Sequence, residues 1–234
     1  MRIVLTRPQE DSERSAAALR GRGHDVLVAP LLCVEPVAAK LRPHWGAVVV
    51  TSANAATAIA GHPSHADLVK LPLFAVGKRS AEAARAAGFA DVTSAGGDVS
   101  DLILLIQERR PDEKAPLLYL AGEDRAGDLI GDLAVHGIAA ELAVVYRAAP
   151  LPFPPPLAAA LAQGEVDAVL HYSKRSAEVF VEGAAKAGVA AQALAARHLC
   201  LSAAVAAPLL SAGAAQVSAA RSPDESSLFA LVAG

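Results

Sequence analysis

Aromatic residues make up only 4% of this 234-residue chain, with one tryptophan, one methionine and two cysteines. A surface that stacks nucleic-acid bases needs more rings than this. Positive charge is not in excess either: the formal net charge is -3, which gives no electrostatic grip on a nucleic-acid backbone. A locally basic site for a small anion is still compatible with that balance. Cys33 and Cys200 lie far apart without ligand-type spacing, so neither a disulfide framework nor a zinc site is expected. The seven histidines show no metal spacing, and a structural role is expected for His171 at a strand end. No apolar run approaches the ~20 residues of a membrane span. The opening Met1-Arg2-Ile3-Val4-Leu5-Thr6-Arg7-Pro8 is too short in apolar residues for a signal peptide. A cytoplasmic protein without nucleic-acid or membrane partners is expected, and a monomer in the absence of a long exposed apolar helix face. Also missing are a G-x-G-x-x-G fingerprint and a Walker loop, which argues against a nucleotide-dependent enzyme.

What is present is a 53% hydrophobic composition with only 19% charged residues, enough for a sizeable core. Short apolar runs alternate with Ala-rich helical stretches, the pattern of a parallel sheet covered by helices. Strands are expected at Ile3 to Leu5, Val26 to Ala29, Ala47 to Val50, Leu73 to Val76, Leu117 to Leu120, Leu142 to Val145, Ala168 to His171 and Leu199 to Leu201. Weaker ones fall at Asp91 to Thr93 and Gln216 to Ser218. Helices are expected at Ser12 to Arg22, Ser80 to Ala87, Leu102 to Arg109 and Ala126 to His136.

An internal repeat organises these elements. Arg2 to Val37 lines up without gaps on Pro116 to Leu151, matching Leu19 with Leu133 and Gly23 with Gly137. Ala47 to Ser52 lines up with Ala168 to Ser173, and Leu73 to Ala95 with Leu199 to Ala220. The three blocks recur in the same order, which favours duplication over chance likeness between Ala-rich segments. Prolines follow the second strand of each copy: Pro30, Pro36 and Pro43 in one, Pro150, Pro152 and Pro154 to Pro156 in the other. Such stretches mark linkers. They predict one domain from residues 1–35 with 149–234 and another from 36–148, each with a five-stranded sheet and a ligand cleft between them. A simple split near Pro111 is the alternative.

Ligands of parallel α/β sheets bind beyond the carboxyl ends of the strands. Those turns carry Arg7, Ser52, Lys78-Arg79-Ser80, Arg125, Ser173-Lys174-Arg175 and Ser202. Helix capping explains Ser52, Ser80 and Ser173 taken singly, and solvated surface charge explains each basic residue. Together they suit a ligand with several carboxylates or phosphates. Tyr146, between Val145 and Arg147 at the linker, reads either as a packed linker tyrosine or as a weak acid able to protonate a leaving group.

Five short motifs in order and spacing resemble the uroporphyrinogen-III synthase family over nearly the whole chain. They are Leu5-Thr6-Arg7-Pro8, Val50-Thr51-Ser52-Ala53-Asn54-Ala55, Ala75-Val76-Gly77-Lys78-Arg79-Ser80-Ala81, Val145-Tyr146-Arg147, and Ala168 to Ser173. The resemblance implies two similar α/β domains, each a parallel five-stranded sheet flanked by helices, joined by a two-stranded linker. It implies a carbon–oxygen lyase of the hydro-lyase kind in tetrapyrrole and heme biosynthesis. Hydroxymethylbilane, a linear tetrapyrrole with eight carboxylates, would be cyclised to uroporphyrinogen III with loss of water and inversion of ring D. No metal or organic cofactor is implied. By position, Tyr146 matches the candidate for protonating the departing hydroxyl. Arg7, Ser52, Ser80, Arg125, Ser173 and Ser202 are the expected substrate contacts. Three positions depart from the family pattern: Ser202 and Val205 stand where Gly and Thr are common, and Tyr172 replaces a common Thr before Ser173. A non-catalytic two-domain module binding a tetrapyrrole or another polyanion is the alternative.

Overall fold

The computed structural model describes residues 1–42, 44–110, 114–125 and 127–232. Pro43 and Pro111 therefore lie outside the described residues, as do Ala126, where a helix was expected to begin, and the terminal Gly234. Along the chain come β1 (Arg2–Leu5), α1 (Gln9–Arg20), β2 (Asp25–Val28), β3 (Leu32–Pro36), β4 (Ala47–Val50), α2 (Ala53–Ile59) and α3 (His65–Leu68). β5 (Leu73–Ala75), α4 (Lys78–Ala86), β6 (Val92–Ser94), α5 (Val99–Arg109), β7 (Leu117–Gly122), α6 (Leu129–Val135) and β8 (Ala140–Pro150) follow. The last third holds α7 (Pro155–Ala162), β9 (Ala168–His171), α8 (Lys174–Lys186), α9 (Ala190–Ala195), β10 (Arg197–Cys200), α10 (Ala203–Ser211), β11 (Val217–Ala219) and α11 (Glu225–Ala230).

These elements form two compact units, Met1–Cys33 with Ala149–Gly234, and Val34–Ala148. The first unit holds a five-stranded sheet in the order β11-β10-β9-β1-β2, with every neighbouring pair parallel. Its central strand β9 is fully buried, as a parallel strand covered on both faces must be. Leu157, Phe180, Ala193 and Leu209 from α7 to α10 cover one face. Ala16 and Leu19 of α1 with Leu228 and Phe229 of α11 cover the other.

The second unit departs from the expected five parallel strands. Its sheet has six, in the order β3-β8-β7-β4-β5-β6. The five from β8 to β6 pair in parallel. β3 runs antiparallel to β8: Val37 N–H donates to Val145 O and Leu151 N–H to Leu31 O, so residue numbers rise along one strand as they fall along the other. The prolines hid this strand. Pro36 is its last residue and β3 lies at the sheet edge, where a missing N–H removes no ladder bond. Ile59 of α2 and Ala84 of α4 pack on one face; Leu102 and Ile106 of α5 with Leu133 of α6 pack on the other.

The two sheets match strand for strand under the repeat. β2-β1-β9-β10-β11 corresponds to β8-β7-β4-β5-β6, and the register agrees, Ile3 opposite Ala168 as Leu117 is opposite Ala47. Each matched set of five takes two strands from one copy and three from the other, and β3 adds a sixth at the edge of the second sheet. The copies differ in detail. In the first, β2 and β3 are separate strands, whereas the second runs through both as the single 11-residue β8. The aligned Gly23 and Gly137 have φ of 84° and 69°, left-handed values that reverse the chain after α1 and α6 and that other residues adopt at a cost.

Candidate active site

At the carboxyl ends of β4, β5 and β7 in the second unit lies a cavity of about 370 Å³. Its polar lining comprises Thr51, Ser52, Asp98, Tyr119, Asp124, Arg125 and Tyr146. Each reaches it for a local reason. Ser52 is the N-cap of α2, its Oγ accepting from Asn54 N–H at 3.2 Å. Asp98 caps α5 and takes two N–H bonds on Oδ1. Arg125 bends back on its own loop, Nη1 donating to the carbonyls of Gly122 at 3.0 Å and Glu123 at 2.9 Å.

Tyr146 is carried by a strand, and a bulge aims it. β8 pairs with β7 residue by residue up to Ala121 opposite Val144, then skips one, placing Gly122 opposite Tyr146. The extra residue re-orients the side chain. The ring crosses over Gly122, where a methyl group would fall 2.6 Å from the phenol Cζ. The phenol then donates to Ser52 Oγ at 3.1 Å. One residue earlier on the same turn, Thr51 Oγ1 shares a 2.8 Å hydrogen bond with the phenol of Tyr119.

Of the residues expected from the sequence, Tyr146, Ser52 and Arg125 meet at this cavity. Ser80 does not line it. It is buried in the first turn of α4, whose N-cap is Gly77, so the capping explanation fails for Ser80 while it holds for Ser52 and Ser173. The remaining three belong to the first unit. Arg7, after β1, stacks 4.1 Å over the Tyr172 ring and contacts Ser15, Asp11 and Glu225. Its charge is thus largely answered within the unit. Burial pushes the Tyr172 phenol well above its usual range, and it donates to Glu225 at 2.9 Å. Ser173 caps α8 in a reciprocal box with Ser176. Ser202 stands at the N-cap of α10 with no side-chain cap bond. Val205 packs into the apolar cluster around Phe180 and fills core volume there.

A model of the family described as Uroporphyrinogen-III synthase HemD matches residues 13–230. The chain belongs to the uroporphyrinogen-III synthase family. Among solved structures, the uroporphyrinogen-III synthetase of Helicobacter pylori is similar at 19% identity with a TM-score of 0.68, over 100% of this chain and 99% of that one. A mutant uroporphyrinogen III synthase of Thermus thermophilus is similar at 20% identity with a TM-score of 0.50, over 100% of this chain and 98% of that one. At these identities the structures establish the shared synthase fold. No curated protein matches the chain by sequence.

Sequence reasoning missed Tyr119, Asp98 and Gly122 as parts of this cavity. Asp98 was legible: an Asp three residues before Asp101, ahead of an apolar run, is a capping signature. Gly122 ends a strand, and only the neighbouring strand shows what its missing side chain admits. Among the described residues, no group of three or more His, Cys, Asp or Glu could hold a metal ion, and no helix is long and apolar enough to cross a membrane.

Proposed function

We propose that this enzyme cyclises hydroxymethylbilane to uroporphyrinogen III, and that Tyr146 delivers the proton with which the hydroxyl of ring A departs as water. The observation that carries the assignment is the Tyr146–Ser52 hydrogen bond of 3.1 Å at the cavity wall, in a chain of this family. As the carbon–oxygen bond breaks, the leaving oxygen takes the phenol proton. Ring D closes on the exposed carbon through a spiro intermediate and re-attaches inverted. The proton lost when the macrocycle regains aromatic pyrroles balances the one supplied. This makes the protein a carbon–oxygen lyase. The open-chain substrate can also close without an enzyme to the unrearranged isomer, so the main task is to hold one folded conformer.

Asp98 and Asp124 at the cavity disfavour a substrate carboxylate there and suit the hydroxymethyl end and the pyrrole N–H groups, which donate to carboxylates. The eight carboxylates are assigned to Arg7, Ser173 and Ser202 and to backbone N–H groups at helix starts, with Ser52 holding the donor and Arg125 bracing the loop after β7. Action as a monomer in the cytoplasm completes the reading. Incubation with freshly made hydroxymethylbilane, with the isomers separated by chromatography, tests it. Type III product is expected. Type I alone, formed at the spontaneous rate, overturns it.

A further inference from the structure

We infer that Tyr119 and Thr51 are positioning residues that hold the β4–α2 turn, and through it the Tyr146 hydroxyl, in the reactive arrangement. The inference rests on the assignment of Tyr146 as the proton donor. Thr51 and Ser52 are consecutive, and each is gripped by a different tyrosine. Tyr146 packs with Val48, Val50 and Leu120 on one face of the sheet. Tyr119 packs with Ala47, Val49 and Phe74 on the opposite face. The two phenols therefore clamp one two-residue turn from both sides of the sheet, Tyr119 on Thr51 at 2.8 Å and Tyr146 on Ser52 at 3.1 Å. The strands impose this arrangement. Tyr119 lies opposite Val49 in the β4–β7 ladder, and Thr51, two residues beyond Val49, projects to the same face.

The hydroxyl of Tyr119 has no packing purpose. The residue is only 6% exposed and its neighbours are apolar, so phenylalanine would fill the same space without a polar group to satisfy. A buried phenol there is explained by the bond it makes at the cavity edge. That pair also carries two hydroxyl hydrogens and shares one bond between them. The second has no partner among the described residues, and both side chains line the cavity. Fixing Thr51 fixes the start of α2, where among the described residues Ser52 Oγ is held by Asn54 N–H and the Tyr146 phenol. A loosened turn would let the Tyr146 donor wander, and sub-ångström placement governs proton transfer.

Steady-state kinetics on Tyr119→Phe, Thr51→Val and Thr51→Ser, each also in a Tyr146→Phe background, test the inference. Tyr119→Phe and Thr51→Val are expected to lower kcat roughly tenfold, the support of one hydrogen bond, with KM within about twofold. Thr51→Ser, which keeps the hydroxyl, recovers most of that loss. In the Tyr146→Phe background neither change lowers kcat further, because no donor remains to be placed. A purely structural role would give additive losses instead, and additivity overturns the inference. Wild-type kcat for both Tyr119→Phe and Thr51→Val, with Tyr146→Phe impaired, overturns the inference alone. Wild-type kcat for Tyr146→Phe removes the donor assignment, and the positioning role with it.

Discussion

The ring of Tyr146 occupies space that Gly122 leaves open: a Cβ at position 122 would lie 2.6 Å from its Cζ and 2.8 Å from its hydroxyl oxygen. Gly122 ends β7 beside the bulge, and its backbone is not in the left-handed region. The glycine is therefore required by its neighbour and not by its own conformation. Gly122→Ala is expected to push the phenol off Ser52 and to lower kcat about 10- to 100-fold, since misplacement by an ångström costs that much. Combined with Tyr146→Phe it should add little. Kinetics of the two single variants and the double variant decide the point.

Tyr146→Phe removes the phenol proton while keeping the ring over Gly122. Turnover is expected to fall about 10²- to 10⁴-fold, the usual contribution of a positioned acid, with product binding nearly unchanged. Single-turnover assay and product titration separate the two. Unchanged activity takes Tyr146 out of the mechanism.

His171 and His198 sit together in the core of the first unit, both fully buried, with His171 Nε2 3.1 Å from His198 Nδ1. His198 Nε2 is 3.1 Å from the Ala193 carbonyl, which can only accept, so His198 carries its proton on Nε2. His171 then donates to His198 Nδ1. Burial lowers His198 to about 4. Burial, and secondarily the charge of His198, holds His171 well below its ordinary value. The unfolded chain takes up these protons near pH 6.5, so the pair's full contribution to stability is present above that pH. It is lost as pH falls toward 4, at about 1.4 kcal/mol per pH unit for each histidine. Denaturant melts between pH 7 and 4 are expected to show this loss, and to show less of it in His171→Leu/His198→Leu. Identical pH dependence in the two proteins overturns the prediction.

Phe180 is fully buried and holds edge contacts with His171 at 5.2 Å and His198 at 5.6 Å between ring centroids. Phe180→Ala should lower unfolding stability by about 3–5 kcal/mol, measured by denaturant titration at pH 7.

The sheet strands were legible because fully buried parallel strands are continuous apolar runs, as in Ala47-Val48-Val49-Val50. Edge strand β3 was not, since its prolines read as a linker. Tyr146 and Ser52 could be named from motifs, because a short motif fixes a turn, and Arg125 from its place in the turn after a strand. Arg7 shows the limit: its place after β1 was readable, but Glu225, 218 residues away, answers its charge, and no local pattern reports that.

The sequence by itself determined the α/β class and the duplication, since these follow from local periodicity and from order along the chain; Tyr146 became the candidate donor through the family resemblance. Tertiary structure alone decided that Tyr119 and Tyr146 grip one turn from opposite faces of a sheet, that Gly122 makes room for a ring, and that Ser80 turns inward. Each of these depends on which strands lie side by side, and that pairing is set by burial of both sheet faces across segments distant in sequence.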